Sequence, residues 1–300
     1  MYLHKDKELL KETVHKCHEE TGISLGIIEK DYYVSMMLKG FADSGIGFIF
    51  KGGTSLSKCY KVIDRFSEDI DLTVAQRPTQ GQRYDMANTV MDMGSKIGLV
   101  LQNREEIRRR RDFNRYIFEY ESIIANSYVK PLIIVEVYVA LLAFPTTIGS
   151  IDSYVGQTLA KHDTRVAAEF GLLPFDMSVQ DIRRTLVDNI FAICDYYLAG
   201  KSERYSRHIY DIYQILKTVK MEDLTKELVA EVRQVRKNIM NCESAKDGVN
   251  PTELLQDIVD KKFFERDYEQ ITKKLLFTYV PYSKAISSIE KIIASRCFTP

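Results

Sequence analysis

The segment from Phe48 to Val74, FIFKGGTSLSKCYKVIDRFSEDIDLTV, constrains the fold more than any other stretch of the chain. It opens on a short apolar run, Ile46 to Phe50, of the length of a buried strand. Gly52-Gly53 breaks the run, and Thr54 and Ser55 follow where a helix N-cap belongs. Leu56, Tyr60 and Ile63 recur at helical spacing, which predicts a short helix from Ser55 to about Asp64. Ser67 to Val74 then alternates as a strand does. Ile70, Leu72 and Val74 take one face, while Ser67, Asp69, Asp71 and Thr73 take the other.

That order of elements has a chemical use. Hard cations such as Mg²⁺ take oxygen ligands, commonly one or two carboxylates together with substrate phosphates. Glycines admit a phosphate close to backbone N–H groups. Asp69 and Asp71 are therefore candidates to hold metal on a triphosphate lying against Gly52, Gly53 and the hydroxyls of Thr54 and Ser55. The plain alternative is a strand face with two solvated acids, and the Gly-Gly-Thr-Ser turn upstream weighs against it.

Further along, a strand predicted over Leu132 to Ala140 alternates Val135, Val137 and Val139 with Ile134, Glu136 and Tyr138. A carboxylate in such a strand is expensive to bury unless it is paired or ligates a cation. Glu136 is thus the candidate third metal carboxylate, against an edge-strand glutamate facing water. The most basic stretch, Arg104 to Arg115, holds four consecutive arginines from Arg108 to Arg111, with Phe113 and Tyr116 close by. It is either a solvated turn or a surface for RNA phosphates, to which arginine binds bidentately.

GGTSLSK followed by RFSEDIDL resembles the two leading motifs of the AbiEii/AbiGii-type nucleotidyltransferase toxins, relatives of the mycobacterial MenT toxins within the polymerase-β-like nucleotidyltransferase superfamily. RRTLVDNIFAICDYY is similar to the family's third motif, and RYSRHIYDIYQIL to its fourth, which ends in the Tyr-Asp pair here at Tyr210 and Asp211. The motifs run from about residue 50 to residue 216.

The resemblance implies an α+β fold with a mixed sheet flanked by helices, and the glycine-punctuated stretch of residues 144–174 puts the boundary between that domain, residues 1–165, and a C-terminal helical bundle, residues 166–300. The resemblance implies transfer of a nucleoside monophosphate from an NTP to an acceptor, with two Mg²⁺ ions on Asp69, Asp71 and Glu136. In that scheme Gly52, Gly53, Thr54, Ser55, Lys58, Ser67 and Arg184 meet the nucleotide, and Asp211 is a further catalytic acid. It also implies the toxin half of a bacterial toxin–antitoxin or phage-defence pair, with an antitoxin protein as partner and RNA such as a tRNA as acceptor. One position departs from the pattern: the lysine of the third motif is Asn189, which supplies an amide dipole and no charge. Arg184, Arg183 or Lys58 would then take over its task, or the grip on nucleotide is weaker. For Asp211 the structural alternative is an ion pair with Arg207, four residues earlier on the same helix face. Rival readings are a small-molecule, antibiotic-modifying nucleotidyltransferase and a non-catalytic nucleotide-binding relative.

Composition narrows the setting. The 300 residues carry a formal net charge of zero, so any nucleic-acid surface must be a local patch. Five scattered cysteines fit neither a disulfide framework nor a zinc site. The longest apolar stretch, Leu132 to Phe144, is too short for a bilayer span and contains Glu136, and the first residues are too charged for a signal peptide. A cytoplasmic protein without a membrane partner is the simplest reading. His15 and His18 belong to a solvated helix face, and residues 144–174 read as a loose, glycine-punctuated connection before helices take over.

Overall fold

The computed structural model describes residues 1–125 and 127–299. The chain divides into two compact units, each assembled from separate segments. The first comprises residues 1–54, 68–140 and 146–179, and the second residues 55–67, 141–145 and 180–300.

The first unit is built on a seven-stranded mixed sheet. Its strands are β1 (Ile49–Lys51), β2 (Ile70–Thr73), β3 (Val100–Leu101), β4 (Phe113–Glu119), β5 (Leu132–Tyr138), β6 (Thr146–Ile151) and β7 (Phe175–Gln180), in the order β3-β4-β5-β2-β1-β7-β6. β2 runs parallel to β5 and antiparallel to β1, while β4 runs antiparallel to β5. The two faces differ. In β5, Ile133, Val135 and Val137 are buried while Leu132, Ile134, Glu136 and Tyr138 are half-buried, and β4 alternates likewise with Asn114, Tyr116 and Phe118 inward. One side of this antiparallel-edged sheet is core and the other carries polar groups.

The core side is covered by helices. Of these, α1 (Lys7–Thr21) packs on α2 (Leu25–Ala42), whose buried residues occupy most of its circumference, as befits a central helix. After α3 (Gly52–Lys58), α4 (Gln80–Lys96) starts at a reciprocal cap between Thr79 and Gln82. Gly94 of α4 lies against the Phe118 ring, where a Cβ would come within 2.6 Å of Cδ1. That missing side chain lets the helix settle on the sheet.

Residues 144–174 are more ordered than their composition suggests. They hold β6, then α5 (Tyr154–His162) and α6 (Thr164–Glu169), before β7. β6 is an edge strand of mostly exposed threonine, serine and glycine, so it lacks the apolar alternation that marks a strand. Its hydrogen bonding keeps residues 146–179 with the sheet.

The second unit is helical. α7 (Ile182–Leu198), α8 (Arg207–Ile215), α9 (Lys226–Lys237), α10 (Pro251–Asp260) and the helix Tyr282–Ser295 surround a core that includes Leu186, Ile190, Ile209, Ile212, Leu255 and Ile289. Pro251 takes the first helical position, and Asn250 caps it by accepting from the Thr252 N–H at 3.1 Å. All five cysteines are free thiols. Among the described residues no helix is long and apolar enough to cross a membrane.

Candidate active site

Strand register assembles a row of charge across the polar face of the sheet. Lys51 of β1 pairs with Asp71 of β2, Asp71 with Glu136 of β5, and Glu136 with Arg115 of β4. Residues paired in this way present their side chains on the same face, so the row reads cation, acid, acid, cation. The Arg115 Nε lies 3.5 Å from Glu136 Oε1. Two like charges in adjacent register are destabilising, and the flanking cations offset part of that repulsion. Asp69, two residues before Asp71 and just ahead of β2, is half-buried, as are Asp71 and Glu136.

Gly52 closes on this row from the other motif. Its φ is +75°, in the left-handed region, and a Cβ there would come within 2.9 Å of the Asp71 carboxyl carbon and closer still to Oδ2. The glycine turn and the second acid thus meet in space, 19 positions apart in sequence. A further tie holds Glu68, the neighbour of Asp69. The Lys30 ammonium, 3 % exposed on α2, reaches Glu68 Oε2 at 2.5 Å and the Lys130 carbonyl at 3.3 Å.

The local structure departs from the sequence expectation around α3. The helix begins at Gly52 and ends at Lys58, so Thr54 and Ser55 are buried interior residues rather than N-caps. Lys58 is buried at the helix end, and Ser67 is half-buried. β2 spans Ile70–Thr73, shorter than the stretch from Ser67 to Val74 that the alternation suggested.

In the second unit, Asp211 pairs with Arg65 and not with Arg207. Arg65 donates from Nε to Asp211 Oδ1 and from Nη2 to Oδ2, both at 2.7 Å, and the two side chains are almost wholly buried. This two-pronged arrangement is the strong, geometrically specific form of the arginine–carboxylate pair. The neighbouring Tyr210 is a core residue whose hydroxyl accepts from the Asp64 N–H and the Gln214 amide.

Arg184 has no exposed surface. Its Nε donates to Asp188 Oδ2 at 3.0 Å, its Nη1 to the Phe144 carbonyl at 3.2 Å, and its guanidinium lies 4.6 Å from the Phe144 ring centre. Arg236 of α9 joins the network, donating to Asp188 and Asp195, and Ser244 closes it on Asp195. Asn189 faces inward, its Oδ1 3.1 Å from Nδ1 of His208 and its buried amide nitrogen with no hydrogen-bond partner among the described residues. Burial of the ring, and then the positive charge of Arg207, push His208 down to about 3. The imidazole is therefore neutral at ordinary pH and donates to Asn189.

The structure thus brings Gly52, Asp71 and Glu136 together, with Asp69 two residues before Asp71, just ahead of β2. It places Arg184 and Asp211 in two separate buried networks of the second unit. Lys51, Lys30 and Arg65 escaped the sequence reading, and Arg115 was read only as the end of the basic stretch, not as the partner of Glu136. Arg65 lies inside a motif, but its partner is 146 residues away.

The carboxylates of Asp71 and Glu136 offer oxygen ligands, the type that suits a hard divalent cation, and their juxtaposition is one that a cation relieves. Among the described residues, no three His, Cys, Asp or Glu side chains are gathered closely enough to hold a metal ion.

Comparison with known proteins agrees with this architecture. A family model described as "Nucleotidyl transferase AbiEii toxin, Type IV TA system" matches residues 37–290. No curated protein sequence matches. Among solved structures, MenT4, a nucleotidyltransferase toxin from Mycobacterium tuberculosis H37Rv, is similar with a TM-score of 0.59 and 16 % identity, over 96 % of this chain and 88 % of that one. JHP933 from Helicobacter pylori aligns at 15 % identity over 90 % of each chain, but its TM-score of 0.48 is too low to argue from. The MenT4 likeness speaks for the fold.

Proposed function

Because the chain belongs to the AbiEii family of nucleotidyltransferase toxins from type IV toxin–antitoxin systems, and is therefore a nucleotidyltransferase, we propose that it moves a nucleoside monophosphate from an NTP to an RNA 3′ end, with release of pyrophosphate. The observation that carries this reading is the meeting of Gly52, Asp71 and Glu136 on one face of the sheet.

Asp71 and Glu136, paired in register, would hold Mg²⁺ together with oxygens of the bound triphosphate, and Asp69 keeps its place as the third carboxylate from the family resemblance. A metal held by them would supply charge neutralisation for an in-line displacement. Glu136 is suited to accept the proton of the acceptor hydroxyl, with Arg115 fixing its orientation. The backbone at Gly52 and Gly53 is open to a phosphate because no side chain stands there. Lys30 holds Glu68, and through it the start of the Asp-x-Asp strand. Ser55, Lys58 and Ser67 carry their phosphate-contacting role from the family resemblance, as does Thr54. Arg184 and Asp211, both buried, fit positioning roles through Asp188 and Arg65. The family implies a cognate antitoxin, and a tRNA is the acceptor we favour.

The test is incubation with each α-labelled NTP, Mg²⁺ and total RNA. Label in RNA supports the reading. Label on a small molecule moves the acceptor to another class, and nucleotide binding without transfer marks a non-catalytic relative.

A further inference from the structure

On the same unit as the charged row, α4 and the loop leading into β4 enclose a groove of about 670 Å³. Five arginines line it against one glutamate, although the whole chain is neutral. Arg104, Arg108, Arg109, Arg110 and Arg111 supply the charge and Tyr84 an aromatic wall, with the Arg109 guanidinium 5.2 Å from the Tyr84 ring centre.

The arginine turn is built rather than loose. Asn114, 8 % exposed, accepts from the Arg108 N–H at 2.8 Å and donates back to the Arg108 carbonyl at 3.0 Å. Asn103, 9 % exposed, braces the same loop by donating to the Arg115 carbonyl and accepting from the Ile117 N–H. The nearest acid downstream, Asp112, is taken by Arg83 at 3.0 Å. Among the described residues, Arg109, Arg110 and Arg111 form no ion pair. A solvated turn has no need of two buried asparagines to hold four like charges together. An anion-binding surface does.

The turn also leads to the charged row. Phe113, 45 % exposed, begins β4 and meets Tyr138 edge-on at 5.8 Å. Arg115 follows two residues later on the same face, beside Glu136. The arginine turn ends just before Phe113, and at about 3.3 Å per residue Phe113 and Arg115 are about 7 Å apart along the strand. Cations for phosphates, with exposed rings for bases, are what a single strand of nucleic acid requires. An acidic peptide would use the arginines and leave the rings idle.

We infer that the groove between α4 and the arginine turn binds a single-stranded RNA segment, its phosphates on Arg108 to Arg111 and a base on Tyr84, so that the strand's end follows β4 toward Glu136. This deepens the proposed function, since it rests on RNA being the acceptor. Fluorescence anisotropy with a labelled twelve-nucleotide single-stranded RNA, without NTP, tests it apart from the reaction.

The R109A/R110A/R111A variant should bind at least tenfold more weakly at about 100 mM salt. The slope of log K against log salt should shrink by about 2, since each lost phosphate contact removes about 0.7. Tyr84→Ala should lose roughly tenfold and Tyr84→Phe almost nothing. All four side chains lie at the surface of the groove, and unchanged thermal melting shows that the fold is kept.

Equal binding by the triple variant overturns the proposal. So does competition by polyglutamate of the same charge as effective as that by RNA, or Tyr84→Ala binding RNA as wild type does. If the wild type binds RNA through the arginines yet transfers no nucleotide to any RNA, the groove stands and the proposed reaction fails. If the triple variant labels RNA as fast as wild type at sub-saturating RNA, the groove fails and the reaction stands.

Discussion

The α-carbon of Gly52 faces the carboxylate of Asp71 with no room for a side chain between them. Two motifs that are separate in sequence are one contact in the fold. Gly52→Ala would meet both that contact and a φ of +75°, which costs a non-glycine residue about 1–2 kcal/mol. We expect a lower melting temperature and loss of at least 100-fold in nucleotide transfer. Gly81→Ala, where a Cβ would meet only the Thr79 hydroxyl at 3.9 Å, is the matched control.

Asp69→Asn and Asp71→Asn should each reduce transfer by three orders of magnitude or more, since positioning and charge neutralisation supply most of the rate in such chemistry. Stability should move the other way. Asp71→Asn or Glu136→Gln removes one of two like charges in register, so thermal unfolding without metal should stay level or rise. A marked fall in melting temperature for either variant would show that the pair is structural.

Breaking the buried Arg65–Asp211 pair should damage the fold first. Asp211→Ala strands a buried guanidinium, at a cost of about 3–5 kcal/mol by analogy with other buried pairs. The double variant R65M/D211L should recover much of that loss, and denaturant titration measures both. Recovery of stability without recovery of transfer would assign Asp211 a role beyond holding Arg65.

His208 sets a pH dependence. Its folded value of about 3 lies below the unfolded value near 6.5, so the unfolded chain binds more protons between them. The stability associated with the neutral ring is complete above about pH 6.5 and falls as the pH drops toward 3. His4, lowered to about 4 mainly by burial, adds in the same direction. Melting temperatures from pH 7 to 4.5 should decline for wild type and decline less steeply for His208→Gln.

The polar faces of β2 and β5 were legible because alternation is a local signal, visible within a few residues of Asp71 and Glu136. Their pairing was not, because it joins residues 65 positions apart and depends on which strands become neighbours. Arg65 hid its partner for the same reason. The misplaced cap at Thr54 and Ser55 has a local cause: Gly52 takes a left-handed turn and starts the helix at once, so residues with good capping chemistry fall inside it. β6 was missed because an exposed edge of Thr146, Thr147 and Ser150 has no apolar face to read.

The four-strand row from Lys51 to Arg115 exists in one alignment of the strands. Sliding β5 by a single residue against its neighbours would send Glu136 into the hydrophobic interior and bring Val135 or Val137 beside Asp71. On the proposed roles of Asp71 and Glu136, a chain that folds out of step would be disarmed, and the capacity to transfer nucleotide would be a built-in gauge of correct assembly.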